Sequence, residues 1–181
     1  MKATISGSLV EIPDCTIEIP SRKKDTHIIK MNNLPDISDS KSAVYNNEGI
    51  IGRSFPLYTY SHSADRSLSI QIHFFIVNEG DGERNLEDLR WIQSAAYPRK
   101  GDKGTPYKPP PVCKIRCGDL LATKGEAVCA VLQSYSVKFP TEVAWEERTY
   151  CPYRFDVDTQ WLTVYTSADL PYQNRIIKLG R

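Results

Sequence analysis

The sequence predicts an α+β domain: a mainly antiparallel β-sandwich or barrel with one flanking helix, preceded by an extended N-terminal arm. Three observations predict it. Period-two strand patterns are dense from Ile50 onward, a single stretch near Glu83 to Ala96 has helical spacing, and the order runs strands, helix, strands. The chain divides accordingly into an arm over 1–49 and a β domain over 50–181.

In the arm, Thr16-Ile17-Glu18-Ile19 alternates and forms a short strand. Between Pro20 and Gly49 the chain is rich in Ser, Asp, Asn and Lys, with neither a 2.0 nor a 3.6 period. Such a segment is either disordered or ordered against a neighbouring subunit. Ile50 to Tyr60 reads as a strand limited by Pro56 to an edge or a bend. Ser67 to Val77 is the clearest element. Leu68, Ile70, Ile72, Phe74 and Ile76 share one face, and Asn78 to Gly82 supply the turn that ends it.

The helix carries Leu86, Leu89, Ile92 and Ala96 at three- and four-residue spacing, with Glu83, Glu87 and Asp88 near its positive end. Tyr97-Pro98 stops it. A helix of about 14 residues is marginal alone, so it should cover a sheet face. Pro98 to Pro111 is a loop in which seven of fourteen residues are Pro or Gly, with charge +3; its reading is a solvated loop or a contact with another subunit.

Val112 to Cys117, Glu126 to Phe139 and Tyr153 to Thr166 read as strands, with a short excursion at Leu120-Leu121. In the second, Val128, Ala130 and Leu132 face one way and Cys129, Val131, Tyr135 and Val137 the other. The third is expected to carry a bulge at Thr159-Gln160. Leu170 to Arg181 is a polar tail in which Ile176, Ile177 and Leu179 can dock.

Composition narrows function. The 40% hydrophobic and 25% charged fractions are those of a globular protein, and a net charge of +1 gives no global field for nucleic acid or anionic lipid. The halves tilt only slightly, with −3 over 1–90 and +4 over 91–181. No apolar run approaches the roughly 20 residues of a spanning helix, so no membrane anchor is expected, and the first ten residues lack the pattern of a secretory signal.

No motif carries a catalytic mechanism, so no catalytic, cofactor-binding or metal residue is assigned and no cofactor is expected. His27 sits in the arm, His62 in a polar turn and His73 on a polar strand face. Asp156 with Asp158, and Glu146 with Glu147, are carboxylate pairs of the kind a glycosidase needs. Asp156 and Asp158 share a face with Arg154, which reads as a wet sheet surface or as an acidic surface lining a channel. Trp91, Trp145 and Trp161 suit core or intersubunit anchors. Five cysteines, Cys15, Cys113, Cys117, Cys129 and Cys151, lack zinc spacing. Buried thiols and between-strand or between-subunit disulfides stay open. On one strand, Cys113 and Cys117 would share a face about 13 Å apart.

In order, the segments SFPLYTYSHSADRSLSIQIHFFIV, LEDLRWIQSAAYP, the loop ending KPPPVCKIRCGDLL, AVCAVLQSYSVKFP and CPYRFDVDTQWLTVYT resemble the tail-tube-like proteins of contractile bacteriophage baseplates. Those are the hub or tube-initiator subunits at the distal end of the tube. The resemblance covers about Ile50 to Thr166. It implies a β-sandwich or barrel with a flanking helix, repeated in a homohexameric ring that nucleates the tail tube and lines the DNA conduit. It also implies a structural virion protein that is not an enzyme, assembled in the host cytoplasm beside other tube and baseplate hub proteins, with transient passage of genomic DNA. The alternatives are a baseplate-associated peptidoglycan hydrolase and a carbohydrate-binding module.

Overall fold

A computed structural model describes residues 15–21, 26–31, 33–52, 54–101, 104, 106–122 and 126–165. The proposed docking of Ile176, Ile177 and Leu179 lies outside the described residues. The strands are β1 (Cys15–Pro20), β2 (Thr26–Lys30), β3 (Asp36–Ser40), β4 (Ala43–Glu48), β5 (Leu57–Ser63) and β6 (Ser67–Phe75). After helix α1 (Asp81–Ala95) come β7 (Arg99–Lys100), β8 (Tyr107–Lys108), β9 (Cys113–Cys117), β10 (Val128–Lys138) and β11 (Arg154–Thr163). Seven of them form one antiparallel sheet in the order β2-β1-β9-β10-β11-β6-β3, which does not close on itself among the described residues.

Alternation decides which face is core. Leu68, Ile70, Ile72 and Phe74 of β6 are buried, as are Phe155, Val157, Thr159 and Trp161 of β11 and Cys113, Ile115 and Cys117 of β9. Their neighbours along each strand face the other side. Phe74 and Phe155 stack with centroids 4.9 Å apart. Trp161 Nε1 donates to Thr159 Oγ1 at 2.7 Å, and Thr159 Oγ1 donates to the Ile70 carbonyl at 2.8 Å. The only polar atoms of these two side chains are thus satisfied inside the core, as burial demands.

The bulge expected at Thr159-Gln160 lies on the facing strand instead. β11 alternates without interruption, and the register slips on β10 between Leu132 and Ser134. The extra residue reverses the phase of β10. Tyr135 and Val137 therefore turn to the same side as Val128, Ala130 and Leu132, and they pack against the core. The sequence showed two apolar faces because a bulge had shifted one.

Helix α1 packs against β1, β6 and β10. It starts two residues earlier than the spacing predicts, and its buried side includes Asn85 and Asp88 beside Leu89, Ile92 and Ala95. Asn85 Nδ2 donates to the Phe75 carbonyl at 2.9 Å, which makes a polar residue tolerable there. Gly82 lies where a Cβ would meet the side-chain ends of Glu146 and Thr149 in the segment after β10, so a larger residue there would have to displace them.

The largest difference from expectation concerns residues 20–48. They contain β2, β3 and β4, and β2 and β3 are the two edges of the main sheet. The loop over 98–111 likewise holds the small β7–β8 ladder, Arg99 with Lys108 and Lys100 with Tyr107. The excursion after β9 is present, with Leu121 and Ala122 buried and Leu120 exposed.

That excursion is fixed by a buried cation. Arg66, 3% exposed, donates from Nε and Nη2 to Asp39 at 2.8 and 2.5 Å and from Nη2 to the Leu121 carbonyl at 3.3 Å. Its Nη1 has no hydrogen-bond partner among the described residues. Removing the anion alone should therefore hurt more than removing the cation. Asp39→Ala is expected to lose about 3 kcal/mol in urea unfolding, because it strands a buried charge, and Arg66→Met is expected to lose less.

Candidate functional site

The chain from Asp36 to Phe75 makes one long antiparallel ribbon. Its base, β3 with β6, belongs to the main sheet. Beyond the bond from Ala64 N–H to the Ser42 carbonyl at 2.8 Å, the ribbon continues as β4 with β5, a separate two-stranded ladder. Every residue of β4 and β5 is exposed. An isolated two-stranded ladder is marginal in water.

The ribbon's composition is not that of a solvated loop. Tyr45 pairs with Tyr60 and Asn47 with Tyr58, so the three tyrosines share one face. Tyr45 and Tyr60 meet edge to face at 5.8 Å. Their exposures are 57%, 57% and 63% for Tyr45, Tyr60 and Tyr58, and Ile51 and Phe55 in the connecting turn are exposed as well. Apolar and aromatic surface gathered this way is a candidate interaction site. The other open features are the sheet edges, β2 at one end and β3 at the other, whose outward backbone groups can accept a further strand.

The histidines have definite partners. His27 lies on β2, not in a free arm. Its Nε2 and Asp88 Oδ1 are 2.6 Å apart, and its ring stacks on Trp91 at 4.9 Å, which pins an edge strand to α1. Burial raises the Asp88 carboxyl above its ordinary range, against the pull of His27. His73 Nδ1 and Asp156 Oδ1 are 2.6 Å apart on the outer face of the sheet, with Asp36 Oδ2 at 3.6 Å from Nε2. His62 is exposed on β5, its Nδ1 3.1 Å from Ser61 Oγ.

Of the two carboxylate pairs, Asp156, Asp158 and Glu146 are engaged by protein groups, and Glu147 is exposed. Asp156 has His73 and, at 3.7 Å, Arg154; Asp158 has Lys138 at 3.3 Å; Glu146 accepts from the Thr149 hydroxyl. The strand face around Asp156 and Asp158 is a cross-strand ion-pair lattice. No group of three His, Cys, Asp or Glu that could hold a metal is found among the described residues. Two shallow grooves of about 680 and 580 Å³ meet at Trp91 and Ser94 on the outer side of α1, and neither brings a nucleophile to a base among the described residues. Of the tryptophans, Trp161 is core, Trp91 is half-buried and Trp145 is 45% exposed.

None of the five cysteines is in a disulfide, and four of the five are buried. Cys113 and Cys117 do share the buried face of β9. Burial pushes the Cys117 thiol up to about 12, with Cys15 adding to the rise, and pushes Cys113 up to about 11 against the pull of Arg99. These thiols ionise in the unfolded chain before they ionise in the fold. Their contribution is complete below the ordinary value of 9.0 and is lost as pH rises from there toward 12. The urea midpoint of the reduced protein should accordingly fall more steeply above that value than the midpoint of a Cys113→Ala, Cys117→Ala variant.

Comparison with protein-family models and with curated proteins gives no match.

Proposed function

We propose that the protein is a structural subunit that works only as an assembled ring, and that the ring belongs to the baseplate hub or tail-tube start of a contractile phage. The observation that carries the assembly reading is the β4–β5 ribbon, a tyrosine-faced ladder that continues the main sheet and has both faces uncovered. The phage setting rests on the sequence resemblance over Ile50 to Thr166.

In this reading the open sheet is a segment of a larger one. The β2 edge of one copy receives the β3 edge and ribbon of the next, a head-to-tail contact that closes by rotation into a ring, hexameric in the resembling family. Within each copy the sheet curls about α1 toward a barrel. Three features support the curl: α1 packs on β1, β6 and β10, His27 of edge strand β2 reaches Asp88, and the Phe75 carbonyl of β6 takes Asn85. The outer lattice of Asp156, His73, Asp158 and Lys138 is then a candidate for the polar wall of a conduit. Obligate interfaces of this kind bury on the order of 2,000 Å² or more. No catalysis is required of the chain. Its work is templating, one closed ring setting the diameter and symmetry on which the next component stacks.

Electron microscopy of the purified protein and of intact particles tests the reading. Closed annuli that are also found at the distal end of a tail tube are expected, and an inert monomer absent from particles would contradict it.

A further inference from the structure

We infer that Cys15 and Cys117 are a disulfide-forming pair that clasps the β1–β2 hairpin to the body of the sheet. The two residues are direct partners in the β1–β9 ladder, and both are buried, 3% and 1% exposed. Cross-strand partners project to the same face, so their sulfurs point into one space.

The kind of pair matters. Met31 N–H donates to the Cys15 carbonyl at 3.0 Å, so the peptide groups of Cys15 turn toward β2 and away from β9. Cys15 and Cys117 therefore form a non-hydrogen-bonded pair, in which Cα atoms stand about 4.5 Å apart. That lies inside the span a disulfide bridges. The thiols already interact, since Cys15 contributes to the raised Cys117 value. Cys113 and Cys129 have no such geometry with this pair. Cys113 is four residues along β9, about 13 Å away, and Cys129 lies on the next strand at a different register, opposite Lys114.

Position gives the bond its effect. In the main sheet, β2 is joined to the rest through β1, and β1 is joined through four residue pairs to β9, from Cys15 with Cys117 to Glu18 with Lys114. A bond at the first of these pairs prevents the hairpin from peeling away or exchanging with a neighbouring copy, the usual route to swapped assemblies.

The chemistry is thiol–disulfide exchange with a small disulfide, RSSR. One protein thiolate attacks a sulfur of RSSR and releases RS⁻; the second then attacks the mixed disulfide and releases the other RS⁻. The protein loses two protons and two electrons, and RSSR becomes two RSH. Exchange needs a thiolate, which burial disfavours in the closed sheet. The bond therefore forms while β1 is undocked, during folding, and is shielded afterwards.

The test refolds the full-length protein from urea in a buffer of reduced and oxidised glutathione, then alkylates under denaturing conditions and maps peptides by mass spectrometry. Cys15 and Cys117 peptides are expected as one linked species, two hydrogens lighter than the separate peptides, with the other thiols alkylated. The thermal midpoint should rise by about 5–10 °C and return with reductant. Cys15→Val should lose that increment while Cys129→Ser keeps it. Five alkylated thiols after oxidative refolding, a different pairing, or the same increment in Cys15→Val would overturn the inference.

Discussion

In the proposed ring, replacing Tyr45, Tyr58 and Tyr60 together with Ser is expected to turn the oligomer into a monomer whose thermal unfolding is almost unchanged. The two halves of that result have separate causes. The ribbon stands outside the core, and its residues are exposed in the isolated chain, so the sheet that sets stability loses nothing it buries. The assembly loses its anchors. Buried tyrosines at interface centres are each worth about 2 kcal/mol or more, so three together weaken self-association by at least about a thousandfold. Sedimentation velocity reads the association and circular dichroism the fold. A variant that still assembles at wild-type concentrations shows that the ribbon is surface ornament, and one that unfolds shows that it belongs to the core.

Trp161→Ala has the opposite signature, a loss of folding. Trp161 is fully buried on β11, flanked across the strands by Leu68 and Leu132. Its removal opens a cavity in the most enclosed part of the sheet and leaves Thr159 Oγ1 without its donor. The expected cost is about 4 kcal/mol, a large share of the roughly 5–15 kcal/mol that stabilises a domain. Urea unfolding followed by fluorescence and far-ultraviolet dichroism measures it. Trp161→Phe, which keeps most of the volume, should lose distinctly less. Equal losses for both would place the importance of Trp161 in its indole N–H and not in packing.

The contrast between these two sites explains what could be read in advance. β6, β9 and β11 were legible because one face of each is core, and burial writes a period of two into the chain. Asp36–Ser40 and Ala43–Glu48 carry no such mark. In β3 only Ile37 turns toward the core, and in β4 nothing is buried, so the run resembles a polar arm although it pairs residue by residue with β6 and β5. One local signal was available: Gly49, Gly52 and Pro56 are turn formers set between Tyr45 and the Leu57 to Tyr60 stretch, and Gly52 takes a positive φ in the connection.

Other features depend on distant partners and leave no local trace. His27 and Asp88 are 61 residues apart. Asp39 and Arg66 are 27 apart, and neither pairing follows from spacing. Asn85 and Asp88 are absent from the apolar stripe of α1 because polarity argues against burial until a partner is known. The bulge was expected beside its true position but on the wrong strand, since a phase reversal in β10 and one in β11 have the same effect on the ladder between them. The pairing of Cys15 with Cys117 likewise needed the register of β1 on β9, which periodicity does not supply.

The account stands on the uncovered ribbon being covered by a second copy of the same chain. Hydrogen–deuterium exchange across a concentration series, with the mass of the native species measured alongside, tests this most directly. The account predicts that amides of Ala43–Glu48 and Leu57–Ser63 exchange quickly in dilute monomer and become protected together as a closed oligomer of defined mass appears. Fast exchange of both segments at every concentration, in a protein that keeps the 20.5 kDa mass of one chain, would contradict it.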